Sequence, residues 1–157
     1  MNIKLLYATE NNDETPEGKL MRNIGISLAE YERNIIGKRI KSGIKYAASK
    51  GKYPNKAPIG YKNTPDGIII DNKLAPYIKQ CFEMALSGEN LKSISKALYT
   101  EGFINKKGDS VPPARIKSIL KNKIYTGNFD YMGIEYKGNH TPLVSMETFE
   151  KVQTNIL

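Results

Sequence analysis

Between Arg33 and Thr64 the chain carries nine cationic side chains and no acidic one: Arg33, Lys38, Arg39, Lys41, Lys45, Lys50, Lys52, Lys56 and Lys62. Tyr46, Tyr53 and Tyr61 are interleaved with them. A short run of this kind is usually a solvated face. One this long and one-signed favours phosphate tracking, in which each cation releases counter-ions and adds salt-dependent affinity without sequence preference. Other chemistry is sparse. His140 is the only histidine and precedes Pro142 in a loop, with no Ser or Cys placed beside it, so a general-base role has little support. Cys81 is the only cysteine and belongs to an apolar stripe, where a packing role outweighs a reactive thiol. Glu10, Asp13 and Glu14 could hold a hard cation, but a solvated loop explains them better. No glycine loop has phosphate-cradling spacing. No metal or cofactor is expected, and a complete active site is not present.

Composition agrees with a polyanionic partner. The 157 residues carry a net charge of +8 with a pI near 9.4, 39% hydrophobic and 25% charged residues. That describes a globular chain holding one ordinary domain, or a small domain with an appendage. No apolar run approaches the ~20 residues that span a bilayer, and no secretory signal opens the chain. A lone cysteine excludes an internal disulfide and a multi-cysteine zinc site. The expectation is an intracellular protein without a membrane role.

The basic run must be carried by something long. Thr15 is a fitting N-cap, Pro16 suits the first helical position, and Glu17 lies where the helix dipole favours a carboxylate. Leu20, Ile24, Leu28, Tyr31 and Ile35, then Ile36, Ile40, Ile44 and Ala47, recur three or four apart and predict one apolar face. Gly51 with Pro54 beyond it marks the end, so residues 15–52 read as a single helix roughly 50 Å long. Before it, Ile3 to Tyr7 reads as a strand without a partner, followed by an exposed loop.

After the helix, Ile59–Lys62 and Ile68–Ile70 flank a Pro-Asp-Gly turn and predict a hairpin. Helices follow from about Leu74 to Ser87 and, capped by Asn90, from Leu91 to Glu101. A polar turn, 104–110, leads to a third helix opened by Pro112 or Pro113 and running to about Asn122. Helix, glycine-containing turn and helix are compatible with a helix-turn-helix. Arg115, Lys117, Lys121 and Lys123 lie on the polar side of the third helix. A second hairpin is predicted about Met132–Gly133, and Ser145 caps a last helix with Met146, Phe149, Val152 and Ile156 on one face.

The stretch "AEYERNIIGKRIKSG" followed by "GKYPNKAPIGYK" resembles the end of the catalytic domain and the linking helix of serine site-specific recombinases, in particular the large ones of phages and conjugative transposons. "LAPYIKQCFEMALSGENLKSISKALYTEGF", "PPARIKSILKNKIYTGN" and "HTPLVSMETFEKVQ" resemble the recombinase DNA-binding domain in order and spacing. The family usually has a tryptophan upstream of the third helix, where this chain has Val111.

The resemblance implies an α+β, mainly helical fold: one long N-terminal helix, then a compact winged-helix-like or helix-turn-helix domain with short hairpins. It divides the chain into a remnant strand and loop of the catalytic domain (1–14), a linking and dimerisation helix (15–52) and a recombinase DNA-binding domain (53–157). It implies strand exchange through a phosphoserine intermediate in the full-length bacterial enzyme, while this chain lacks the region of the nucleophilic serine and is expected to be inactive alone. Arg33 matches the arginine of the family's Glu-Arg pair and would contribute to catalysis only in a full-length enzyme. The expected partner is double-stranded DNA of attachment-site type, contacted by Lys38, Lys41, Lys45, Lys50, Lys52, Lys56, Lys106, Lys107, Arg115, Lys117 and Lys121. A homodimer through the long helix, a tetramer in the synaptic complex and a cytoplasmic, nucleoid-associated location are implied as well. The alternative is a stand-alone regulator that occupies attachment sites without catalysis.

Overall fold

The computed structural model describes residues 15–105 and 107–156. The expected strand at Ile3–Tyr7, the carboxylates Glu10, Asp13 and Glu14, and Lys106 lie outside those residues. The elements run α1 (Pro16–Ser49), β1 (Tyr61–Thr64), β2 (Gly67–Ile70), α2 (Ala75–Leu86), α3 (Leu91–Thr100), α4 (Pro113–Leu120), a 3-10 turn (Lys123–Thr126), β3 (Asn128–Tyr131), β4 (Ile134–Lys137) and α5 (Met146–Ile156). This is the expected mainly helical α+β architecture. The chain divides into two units within α1, between Gly43 and Ile44. Among the described residues no helix is long and apolar enough to cross a membrane.

The N-terminal unit is the greater part of α1. Thr15 starts it as predicted, its hydroxyl accepting from the Gly18 N–H at 3.1 Å. The apolar face expected over most of the stretch changes side partway along the helix. At about 100° per residue, Leu20, Ile24, Leu28, Tyr31 and Ile35 share one side, whereas Ile36 and Ile40 fall roughly 140° away. The single-residue step from Ile35 to Ile36 moves the apolar side across the helix. Leu20, Ile24, Leu28, Tyr31, Ile36 and Ile40 are all exposed.

The second unit is built on three helices and a shared core. α2 contributes Ile78, Cys81, Phe82 and Ala85, α3 contributes Ile94 and Leu98, and α4 contributes Ile116, Ile119 and Leu120, all buried. Phe149 and Val152 of α5 close the core, whereas Met146, expected on that face, is exposed. α5 also satisfies helix ends that would otherwise lack partners. Gln153 Nε2 donates to the Leu120 carbonyl at 2.7 Å, and Asn155 Nδ2 donates to Leu86 at 3.3 Å.

Two antiparallel hairpins flank this core, β1 pairing Tyr61 with Ile70 and β3 pairing Asn128 with Lys137. The second turns through Met132 and Gly133, both at positive φ (52° and 78°), the primed geometry that suits strand twist. α4 is shorter than predicted because the Asn122 side chain accepts from the Ile124 N–H at 3.2 Å and starts the 3-10 turn instead.

Three buried acidic groups in this core are kept neutral. Burial pushes the Cys81 thiol from its ordinary 9.0 up to about 12 and raises the Tyr61 and Tyr125 phenols well above their ordinary 10.0. Each holds its proton more tightly folded than unfolded. Stability is therefore fully present below about pH 9 and lost as pH rises towards 12. Thermal melts across that range should show a flat Tm up to about pH 9 and a steady fall above it. Cys81 should resist thiol reagents until the domain unfolds.

Candidate nucleic-acid interface

The exit from α1 is a closed device within the second unit. Gly51 (φ +81°) ends the helix in a Schellman arrangement, with Lys52 N–H donating to Ala47 at 3.0 Å and Gly51 N–H to Ala48 at 2.8 Å. Ala48, rather than the predicted Ala47, is the fully buried residue of this end. Asn139 then clasps the turn: its N–H donates to the Gly51 carbonyl at 2.9 Å and its Nδ2 to Lys50 at 2.7 Å. A side chain at Gly51 would collide with Asn139. His140 is buried beside it and braces the loop. Its Nε2 donates to the Ile124 carbonyl at 2.7 Å, its ring stands edge-on to Tyr61, and its Nδ1 has no partner among the described residues.

Every candidate DNA contact among the described residues is exposed: Arg33, Lys38, Lys41, Lys45, Lys50, Lys52, Lys56, Lys107, Arg115, Lys117 and Lys121. None of them forms an ion pair there, since the two pairs present are Lys123–Glu135 and Lys151–Glu147. Two are engaged otherwise. Lys50 lies over the Tyr46 ring, 5.6 Å from its centroid, and Lys52 donates to the Pro65 carbonyl in the β1–β2 turn. Lys123 leaves the group read from the third helix. It sits in the 3-10 turn, 2.7 Å from Glu135, which also accepts from Asn128.

α4 presents its basic residues on two edges, not one. Arg115 and Lys117 are two positions apart, roughly 160° around the helix. Burial raises the Tyr125 phenol well above its ordinary pKa, and the Arg115 guanidinium opposes that rise. The Tyr125 hydroxyl in turn donates to the Ile59 carbonyl at 2.9 Å. Between the two edges the outward surface is Ala114, Ser118 and Lys121, all exposed.

The connection between α3 and α4 is not the simple polar turn expected. Ile104 and Ser110 form an antiparallel bridge, and Asn105 Oδ1 accepts from the N–H groups of Lys107 at 2.7 Å and Asp109 at 3.1 Å. Ser95 donates to the Val111 carbonyl at 2.6 Å, so a buried hydrogen bond sets where α4 begins. Val111 itself is buried at the position where a tryptophan is usual.

The model of the family described as Recombinase matches residues 72–157, more than half of the sequence. The chain belongs to the Recombinase family. The model described as Resolvase, N terminal domain, matches residues 1–53, so the resemblance read from the Glu-Arg stretch also holds. No curated protein matches. Two solved structures are similar: the crystal structure of an LSR–DNA complex (TM-score 0.65) and a structure on the sequence requirements of the Listeria innocua prophage attP site (TM-score 0.64). Each is 22% identical over 74% of this chain, a likeness of fold. The chain spans 37% and 50% of the lengths of those two proteins.

Within this Recombinase module the Asn139 clasp predicts a local effect. Asn139→Ala removes a side-chain hydrogen bond worth about 1 kcal/mol. It should speed hydrogen exchange at Gly51 and Lys52 while leaving α2 and α3 protected. Gly138→Ala should act globally, because its Cβ would meet the His140 ring and the Gly127 carbonyl. A loss of about 1–3 kcal/mol, read as a lowered Tm, is expected.

Proposed function

We propose that this chain is the DNA-binding portion of a serine site-specific recombinase acting on attachment-site-like duplex DNA in a bacterial cytoplasm. The reading takes 1–14 as the end of a catalytic domain, 15–52 as the linking helix and 53–157 as the DNA-binding domain. One observation carries it: the exposed outer side of α4 has only cations and small residues, with Arg115 on one edge and Lys117 on the other. A helix with cations on both edges suits a groove between two phosphate rows, and its middle then faces base edges. Lys38, Lys41 and Lys45 of α1 add phosphate contacts of their own, and Lys107 reaches a flanking phosphate. In a full-length enzyme Arg33 would add charge to the transferring phosphoryl oxygens.

The exposed apolar side Leu20–Ile24–Leu28–Tyr31 supports a homodimer through α1, assembling to a tetramer when two sites are brought together. A helix with an apolar side this long is normally covered.

The test is a titration of the chain against random duplex DNA and against the end sequences of its own element, at two salt concentrations. Affinity should fall steeply with salt and be tighter for the element ends. Arg115→Gln should relax that preference by about 1–3 kcal/mol, whereas Lys45→Gln should weaken all duplexes alike. Weak binding even at low salt would sink the reading.

A further inference from the structure

The second edge of α4 has a partner row that the α4 and α1 contacts do not use. On α3, Lys92, Lys96 and Tyr99 fall within one side of the helix, since they are spaced four and three apart. All three are exposed. With Ser95 they form one wall of an open groove of about 600 Å³ whose other wall is Asp109, Ser110 and Pro113. Pro113 is the first residue of α4. Lys117 lies one turn further along the same edge of that helix.

The charges in this groove are unspent. Neither Lys92 nor Lys96 is within ion-pair distance of any carboxylate among the described residues, Asp109 included. Two cations face one carboxylate, and the Ser110 and Tyr99 hydroxyls add neutral donors. The position of the groove is set from inside, because Ser95 both lines it and donates from its buried side chain to the Val111 carbonyl. Its cations therefore stand on a rigid wall next to α4, not on a loose loop.

We propose that Lys92 and Lys96 bind the sugar-phosphate backbone of duplex DNA, continuing through Lys117. They form a phosphate row on the α3 side of α4, across the helix from the Arg115 edge. The proposal rests on the DNA-binding reading above. Its chemistry is that of phosphate neutralisation, which positions a protein on the duplex and carries no base preference. Asp109 limits the affinity of this row by facing the same groove.

The experiment compares the whole chain with Lys92→Gln/Lys96→Gln on a random duplex and on the element ends, over a series of salt concentrations. Each phosphate contact contributes about 0.9 to the slope of log affinity against log salt. The double variant should therefore lower the slope by about 2 and weaken both duplexes by the same factor. Asp109→Asn should tighten both. Lys79→Gln on the exposed side of α2 is the control and should leave the slope unchanged, as should an unaltered Tm for every variant. If the parent chain binds with a steep slope and Lys92→Gln/Lys96→Gln leaves that slope intact, this row is not a DNA contact although the general reading stands. A flat, weak titration of the parent chain would overturn both.

Discussion

The clasp of Asn139 on the turn at Gly51 is the constraint on which the rest of the interface depends. A helix that leaves a small domain with its last carbonyls unpaired has no fixed exit. Here the Schellman bonds satisfy Ala47 and Ala48, and Asn139 takes up Lys50 and Gly51 from a point 88 residues further along the chain. The missing Cβ at Gly51 is required twice, by its positive φ and by the close approach of Asn139. Lys50 and Lys52 are thereby held at a defined place on the second unit, and the segment through Lys56 starts from a fixed origin.

Core packing and the interface are linked through the same few residues. Tyr125 stands edge-on to Phe82 in the core while its hydroxyl donates to the Ile59 carbonyl, so the backbone following Lys56 is anchored from inside. Ser95 does the same for the start of α4. His140 joins the 3-10 turn to the loop that carries Asn139. Polar groups this deep are costly unless bonded, and each of these bonds fastens a surface segment rather than merely filling the core. Cation position is therefore inherited from buried hydrogen bonds.

The surface shows which cations are available and which are not. Lys123 and Lys151 are neutralised by neighbouring carboxylates, while those on the outer sides of α3 and α4 have no such partner among the described residues. Exposed pairs of that kind contribute little to stability. Their consequence here is electrostatic: they subtract two cations from the field of the second unit.

The sequence by itself determined whatever depends on local spacing. The starts at Thr15 and Asn90, the stop at Gly51, both hairpins and the burial of Cys81 follow from capping, turn chemistry and apolar periodicity, which act over a few residues. The Glu32–Arg33 and "APIGY" stretches were specific enough to indicate the family. Only the tertiary structure decided the rest. A lysine looks the same in sequence whether it is free, as at Lys117, or held by Glu135, as at Lys123. The groove that sets Lys92 and Lys96 beside the start of α4 depends on how α3 and α4 come together. The clasp between Gly51 and Asn139 joins residues too far apart for any local pattern to link. The shift of the apolar side at Ile35–Ile36 was present in the spacing but hidden by it, because every neighbouring interval remained three or four.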